Sequence, residues 1–313
     1  MGILFGLAAG LLWGLDGVLL GNAGAGNAIA VVLLTACIHD GLAAVWLLLL
    51  NWRMGKLRQY AECLRKQFVS VLLCALLGGA AGMSLNVTAI SMAGASAACA
   101  VTSAYPAAGA LIAMLFLKER CRLSAFLGII CVAGGATVIG FSPADDSQFG
   151  IGLLFAVGAM LCWALEGTFS KSGMQDISPD VLIGVRELLS ALTYAIILTL
   201  LFFTNGASAE LFQGMHFPAI AAASVAGAFS YLCWYRSMHL SGVTVGMALN
   251  ATYALWAVLL DIPINGVPLS LQTILGAAVI LLGTIIVIFT DQNRKEPIAH
   301  EETIQKKSAG SWH

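Results

Sequence analysis

The sequence predicts an all-α polytopic membrane protein with ten transmembrane helices, arranged as two inverted repeats of five helices each. Of the 313 residues, 59% are hydrophobic and only 10% are charged, whereas a soluble domain carries about 25% charged residues. The apolar segments are continuous, which favours helices over the alternating strands of a membrane barrel. The two halves of the chain also share sequence patterns at a nearly constant spacing.

Ten apolar segments have the length of a membrane span, which needs about 20 residues in a helix. Their predicted ranges are 3–22, 28–50, 68–90, 95–117, 124–142, 149–170, 179–203, 217–239, 243–261 and 270–290. The first begins at Ile3 with no basic region before it, so we expect no cleaved signal peptide.

Apart from Arg186, which lies within a span, lysine and arginine occur only on alternate connections between these spans. They follow or end the even-numbered spans, and they are Arg53, Lys56, Arg58, Arg65, Lys66, Lys118, Arg120, Arg122, Lys171, Arg236, Arg294, Lys295, Lys306 and Lys307. Because basic residues accumulate on the cytoplasmic side of a membrane, both termini are predicted to be cytoplasmic. Residues 291–313 are predicted to be a disordered cytoplasmic tail.

The two halves align along most of their length. The segment LGIICVAGGATVIGF at 127–141 matches LGAAVILLGTIIVIF at 275–289, and at the same offset Tyr105 meets Tyr253. The predicted repeats are residues 1–143 and 149–290. Since five spans is an odd number, the second repeat enters the membrane in the opposite orientation. Inverted repeats are typical of secondary transporters, which bind substrate near mid-membrane where the repeats meet; a channel or a structural subunit is the alternative.

Six ionisable residues lie within the predicted spans, where charges are rare and usually face a cavity or a partner. They are Asp16, His39, Asp40, Glu166, Arg186 and Glu187. We predict that Asp16, His39, Asp40, Arg186 and Glu187 couple transport to protons or act in gating; ion pairs that only hold the helices together are the alternative. Neighbouring residues on a helix point about 100° apart, so the adjacent pairs His39–Asp40 and Arg186–Glu187 are expected to find their partners on other helices.

Two tryptophans precede two of these acids by three residues. Trp13 stands before Asp16, and Trp163 before Glu166, so each pair shares one helix face. An aromatic face beside a carboxylate suits an organic cation, and Glu166 is the predicted counter-charge. The remaining substrate-binding candidates are Tyr105, Tyr231, Trp234, Tyr253, Trp256 and Asn86. Packing against lipid or other helices is the alternative for the aromatic residues, and an interhelical hydrogen bond for Asn86.

Several kinds of chemistry have no pattern in this sequence. It contains no HExxH zinc motif, no CxxC pair and no glycine-lysine phosphate loop, so we expect no enzyme, no metal and no cofactor. The net charge of −1 gives no indication of nucleic-acid binding. The eight scattered cysteines are expected to be reduced packing residues.

Taken together, several stretches resemble the EamA-type transporters of the drug/metabolite transporter superfamily, over about residues 1–290. Within that superfamily the resemblance is closest to the LicB-type bacterial choline transporters. The stretches are LLWGLDG (11–17), IHD (38–40), GMSLN (82–86), SAYPA (103–107), CWALEG (162–167), VRELLS (185–190), FSYLCWY (229–235) and LNATYALW (249–256).

The resemblance implies uptake of choline or a related quaternary amine by alternating access across a bacterial inner membrane. Because the membrane potential favours inward movement of a cation, uptake is expected to be driven by the potential, with or without coupling to protons, in a monomer or homodimer surrounded by lipid. The same resemblance implies that Trp13, Trp163, Tyr231 and Trp234 form an aromatic cage around the cation. An exporter of amino acids, metabolites or drugs from the same superfamily is the alternative.

Overall fold

The structure, a computed structural model, describes residues 1–24, 28–116, 123–140, 147–205, 214–266 and 270–289, the last range without 273, 277, 287 and 288. All regular elements within these ranges are helical. The first half contains α1 (Gly2–Gly21), α2 (Ile29–Arg53), α3 (Arg58–Cys74), a π-helix (Ala75–Met83), α4 (Ser84–Ala93), α5 (Ala95–Thr102), α6 (Tyr105–Phe116) and α7 (Leu123–Gly140). The second half contains α8 (Ser147–Gly173), α9 (Pro179–Asn205), α10 (Phe217–Ser241), α11 (Val243–Asn250) and α12 (Tyr253–Asn265). The described residues between 271 and 286 are helical as well.

Seven helices in the described part of the chain are long and apolar enough, by length and composition, to cross a membrane. They cover Gly2–Gly21, Ile29–Arg53, Arg58–Ala93, Gln148–Gly173, Pro179–Phe203, Phe217–Ser241 and Val243–Asn265. An all-helical polytopic membrane protein is therefore confirmed. The predicted spans 95–117, 124–142 and 270–290 are mostly helical over their described residues, and the count of ten spans stays a prediction. The predicted tail, 291–313, lies outside the described residues.

Matching breaks interrupt the chain in the two halves. Gly94 (φ 83°) separates α4 from α5, and Gly242 (φ 92°) separates α10 from α11. Both conformations lie in the left-handed region that glycine adopts without steric cost. A second break precedes Tyr105 in the first half and Tyr253 in the second. The predicted spans 95–117 and 243–261 are thus each two shorter helices, and these breaks lie at positions that the repeat offset aligns.

The third predicted span starts earlier than expected and changes its helical type. Its helix begins at Arg58, so the basic residues predicted as a loop lie on its first turns. It kinks at Gln67, whose φ and ψ are −126° and 25°, next to the predicted start of the span at 68. Nine residues, ALLGGAAGM at Ala75–Met83, then form a π-helix. Such segments are rare and often lie at functional sites.

The helices pack across the two halves in matching pairs. α1 packs mainly against α10 and α12, and α8 packs mainly against the π-helix with α4 and against α6. The repeat offset relates α1 to α8, α10 to the third span and α12 to α6, so these contacts recur with the halves exchanged. α2 and α9, which the offset relates to each other, pack together.

The predicted cytoplasmic connections come together at one end of the molecule. The Nζ of Lys56 lies 2.6 Å from Oδ2 of Asp180, and the Nε of Arg236 lies 2.6 Å from Oδ1 of the same carboxylate. At the other end, the Nδ2 of Asn22 donates to Oδ1 of Asn265 over 3.0 Å. Sequence and structure therefore divide the same connections between two opposite sides.

A cysteine at Asn22 is expected to react with a membrane-impermeant thiol reagent in intact cells, whereas a cysteine at Gln59 should not. Both side chains are exposed, and only the second lies beside the basic residues that mark the cytoplasm. Labelling of the two variants in a background without the native cysteines measures this. Strong external labelling at Gln59 would overturn the predicted orientation.

Candidate functional site

Three aromatic rings from three helices meet at the centre of the bundle. The ring of Trp13 on α1 stands edge-on to Trp163 on α8, with centroids 5.4 Å apart. It also meets Tyr231 on α10 at 4.9 Å. The exposed fractions of Trp13 and Trp163 are only 5% and 4%. The two tryptophans that the repeat offset relates therefore touch each other, as two-fold related positions near an axis do.

The broken helices add a second group of rings. Tyr105, the first residue of α6, lies 5.9 Å from Trp234 between ring centroids, and its hydroxyl accepts a hydrogen bond from Nδ2 of Asn250 over 3.0 Å. The hydroxyl of Tyr253, the first residue of α12, donates to Oγ1 of Thr102 over 2.9 Å. Thr102 and Asn250 occupy equivalent places before the two breaks, so each tyrosine binds the break of the opposite half.

These rings enclose a small cavity. Its lining consists of Trp13, Tyr105, Trp163, Ser230, Tyr231, Trp234, Asn250 and Tyr253. The space inside is about 10 Å³, roughly what a single water molecule needs. The hydroxyl of Tyr231 and Oδ1 of Asn250 are buried and have no hydrogen-bond partner among the described residues. The cavity is aromatic, contains polar atoms without a partner among the described residues, and is closed to anything much larger than a water molecule.

Arg186 on α9 organises a buried ion cluster beside these rings. Its Nε lies 2.8 Å from Oε1 of Glu166, and its Nη2 lies 3.2 Å from Oε2 of the same carboxylate. Its Nη1 donates to Oε1 of Glu187. The hydroxyl of Tyr235 donates to Oε1 of Glu166 over 2.8 Å. Arg186, Glu166 and Glu187 are all fully buried, so their charges are compensated by each other rather than by water.

The first half carries a cluster of the same design. His39 on α2 has its Nε2 2.8 Å from Oδ1 of Asp16 on α1 and its Nδ1 2.9 Å from Oδ1 of Asp40. The Oγ of Ser190 donates to Oδ2 of Asp40 over 2.7 Å. His39, Asp16 and Asp40 are fully buried too. In each half, a base on the second helix contacts an acid on the first helix and the acid that follows it in sequence.

The expected partners from other helices are present, but the adjacent residues pair as well, since His39 contacts Asp40 and Arg186 contacts Glu187. The 100° rule describes the directions in which side chains leave the helix. A ring or guanidinium that extends past its own Cβ can still bend back towards its neighbour. Asp16 and Glu166 do supply the partners from another helix.

Two contacts connect the Arg186 cluster with the cavity. The Cζ of Arg186 lies 4.7 Å from the centroid of the Tyr231 ring, which is cation–π geometry. The indole Nε1 of Trp163 donates to the carbonyl of Gly78 in the π-helix over 3.0 Å. A Cβ at Gly78 would lie 1.8 Å from Oε2 of Glu166, so the same turn also contacts the Arg186 cluster.

Of the nine predicted substrate-binding residues, six line the cavity, namely Trp13, Tyr105, Trp163, Tyr231, Trp234 and Tyr253. Glu166 lies in the Arg186 cluster. Asn86 is buried on α4, where its Oδ1 has no partner among the described residues. The ring of Trp256 is only partly buried, and its Cβ lies beside Gly14. None of these three belongs to the described lining.

Sequence reasoning missed two polar residues of the lining, Ser230 and Asn250. Ser230 gave no signal, because one serine in an apolar span is common. Asn250 could have been found, since it precedes Tyr253 by three residues just as Thr102 precedes Tyr105. Asn250 is thus the counterpart of Thr102, at the helix break that both halves share.

Comparison with known proteins identifies the family. The EamA-like transporter family model matches residues 1–141 and 150–289. The protein LicB of Haemophilus influenzae is 27% identical over 288 residues, which cover 90% of this chain and 96% of that protein. One crystal structure, 18% identical, superimposes with a TM-score of 0.69 over 93% of this chain and 98% of the other; at that identity it shows the fold alone.

The matches confirm the resemblance seen in the sequence, and they indicate a multi-pass membrane transporter in contact with lipid rather than an enzyme. The six ionisable residues and the aromatic lining all lie within the matched segments. This chain belongs to the EamA-like transporter family.

Proposed function

We propose that this transporter takes up choline or a related quaternary amine across a bacterial inner membrane, with both termini in the cytoplasm. The observation that carries this is the contact of Trp13 with Trp163 and Tyr231. These rings lie beside the two buried ion clusters, which together contain four carboxyls and two bases. A quaternary ammonium group has no hydrogen to donate. Ring faces and a negative potential are what can bind it.

The buried charges favour a cation. Four carboxyls, on Asp16, Asp40, Glu166 and Glu187, face two bases, and Arg186 is the only one of the six whose charge is permanent. An excess of negative charge in a membrane interior is costly unless a cation or protons neutralise it. A cationic substrate and a coupling proton are the two species that would neutralise the excess negative charge of these groups.

Glu166 keeps a role in this scheme, although it does not line the cavity. Its carboxylate is bound by Arg186 and Tyr235, and the guanidinium of Arg186 in turn covers one face of Tyr231. We infer that Glu166 offsets the positive charge next to the rings, so that an amine is not repelled from them. Its effect on the substrate is then electrostatic and acts over a distance.

The closed cavity implies movement during binding. A space of about 10 Å³ holds roughly one water molecule, so the rings must separate to admit a trimethylammonium group. The ring contacts join α1, α8 and α10, and their opening displaces helices of both halves. The matching contacts of α1 with α10 and of α8 with α4 support two inverted repeats that expose the site to each side in turn.

Choline is the first candidate because the sequence resembles LicB-type choline transporters along most of its length. Inward movement of one permanent cation gains about 2.3 kcal/mol per 100 mV of membrane potential, inside negative. Import is thus favoured by the potential alone, and a coupled proton would add to it. Uptake of labelled choline into energised proteoliposomes separates import from export.

Replacing Trp13 or Trp163 by alanine is expected to weaken choline binding about several-fold to thirty-fold, because one cation–π contact contributes roughly 0.5–2 kcal/mol. Phenylalanine should retain part of the affinity. Trp52→Ala is the matched control, since that ring is 62% exposed and should leave binding unchanged. The measurement is the rise in melting temperature of the purified protein with choline concentration.

Normal choline binding by correctly folded alanine variants at both positions would contradict the proposed aromatic cage. The same titration with betaine, carnitine and polyamines tests the class of ligand. Betaine and carnitine keep the quaternary group and add a carboxylate, which the excess of buried carboxyls should disfavour. Choline is therefore expected to give the larger shift.

A further inference from the structure

The two ion clusters are built alike, and they differ in one property. Each has a base held between the acid of the preceding helix and the acid next to it, as Asp16–His39–Asp40 and as Glu166–Arg186–Glu187. Arginine stays charged under all conditions in a protein. Histidine changes its charge in the physiological range. Only the first cluster therefore has a base that can gain and lose a proton.

The histidine site lies within electrostatic range of charged and titratable groups from several helices. They are Asp16 on α1, Asp40 on α2, Cys99 on α5, Arg186 and Glu187 on α9 and Tyr231 on α10. The backbone of α10 covers the ring, because a Cβ at Gly227 would lie 2.8 Å from Nε2 of His39 and 3.2 Å from Oδ1 of Asp16. The π-helix lies beside Asp40, since a Cβ at Gly79 would lie 3.4 Å from Oδ2 of that residue.

The geometry has different consequences for a charged and a neutral ring. A charged imidazole donates from both nitrogens and satisfies the Asp16 and Asp40 oxygens it contacts. A neutral ring leaves one nitrogen lone pair facing a carboxyl oxygen less than 3 Å away. That contact must then break unless the carboxyl carries the proton. Oδ2 of Asp16 is buried and has no partner among the described residues, so this carboxyl is already the less firmly held of the two.

We propose that His39, held between Asp16 and Asp40, is the binding site of the coupling proton, and that the Arg186 cluster is its permanently charged counterpart. This rests on the proposed amine uptake. In the loaded state the ring carries both protons and binds α1 to α2 through Asp16. Release of one proton leaves a neutral ring and breaks that connection. Trp13 lies one turn from Asp16 on the same face of α1, so the change at the proton site reaches the aromatic cavity.

His39→Arg supplies the permanent charge that the second half already has. In proteoliposomes with no membrane potential, the wild type should accumulate labelled choline when the outside is acidified. The variant is expected to accumulate at least tenfold less choline than the wild type. Its choline exchange should continue at a rate independent of pH. Acid-driven accumulation that persists in His39→Arg would overturn the assignment.

His39→Gln gives the opposite fixed state, since its amide never becomes charged. It should lose both acid-driven accumulation and exchange at every pH. Retained acid-driven accumulation in this variant would overturn the assignment as well. The contrast with His39→Arg distinguishes a proton site from a residue that is needed only for packing, because a packing defect would affect both variants alike.

A readout without amine separates failure of this inference from failure of the proposed substrate. The melting temperature of the purified wild type should change with pH in a step that is absent from both His39 variants. Asp16→Asn removes one carboxylate that stabilises the charged ring, so it should move the step to lower pH by at least about half a unit. Glu62→Gln, at an exposed pair with Lys66, is the control and should leave the step in place.

A step that stays in both His39 variants, or that Asp16→Asn fails to move, would contradict the assignment whether or not choline binds. A wild type that shows the His39-dependent step but no response to choline would keep the proton site and refute choline as the substrate. Asp16→Asn and Glu62→Gln are near-isosteric changes, so this comparison remains available if the His39 variants do not fold.

Discussion

Arg186→Ala should abolish transport and destabilise the protein by about 3–5 kcal/mol, the usual cost of leaving buried charges without their partner. The guanidinium contacts Glu166 through two nitrogens and Glu187 through a third. Alanine would leave both carboxyls facing each other in a fully buried site. The measurements are the melting temperature of the purified protein and uptake of labelled choline.

The cause of that loss can be tested with a second variant. Arg186→Met combined with Glu166→Gln and Glu187→Gln removes all three charges together, and it should recover much of the stability while transport stays absent. Lys66→Ala is the control for removal of a basic side chain, because Lys66 is 46% exposed in its pair with Glu62 and such a pair contributes less than about 1 kcal/mol. If Arg186→Ala and the neutral triple variant lose the same amount of stability, the loss does not come from the unpaired carboxyls of Glu166 and Glu187.

The sequence singled out residues that meet around the cavity, but it did not predict their contacts. Repetition alone singled out Trp13 with Trp163 and Tyr105 with Tyr253, and the structure places all four around one cavity. The rarity of charges within membrane spans also singled out the six ionisable residues. These signals depend on residue type and spacing, which one sequence contains.

What the sequence did not predict depends on packing between helices. No sequence pattern singled out the stretch ALLGGAAGM, yet it forms a π-helix against Glu166, Ser190 and Trp163. These side chains come from α8 and α9, more than 80 residues away in sequence, so no local pattern could predict the contact. For the same reason, no local pattern showed that Glu166 contacts Arg186 rather than lining the cavity.

A similar limit applies to the closed state of the cavity. The residues of the lining could be named from the sequence, but the ring contacts at 5.4 Å and 4.9 Å follow from the relative positions of α1, α8 and α10. A transporter adopts more than one such arrangement. The same sequence encodes each arrangement, so it does not indicate which arrangement the structure adopts.

The π-helix provides a further prediction, because its backbone lies against the Arg186 cluster. Gly78→Ala should reduce choline uptake on the order of tenfold to a hundredfold. The added Cβ would lie 1.8 Å from Oε2 of Glu166, 2.1 Å from its Cδ and 2.6 Å from Nη2 of Arg186. Neither the backbone nor a paired carboxylate can yield by that much without breaking the ion pair. Overpacking by a methyl group costs about 1–3 kcal/mol, and the strained pair adds to it.

Gly41→Ala on α2 is the matched control, since a Cβ at Gly41 meets no described heavy atom within 4 Å. It should leave uptake and melting temperature unchanged or slightly raise the latter, because alanine favours a helix over glycine by about 1 kcal/mol. Glu166→Asp in the Gly78→Ala background shortens the carboxylate side chain by one methylene and should restore part of the uptake. Recovery in that double variant would locate the defect in the contact between Gly78 and Glu166. If Gly78→Ala transports as well as Gly41→Ala, the π-helix does not lie against the carboxylate in the working protein, and the packing of the two ion clusters described above would have to differ.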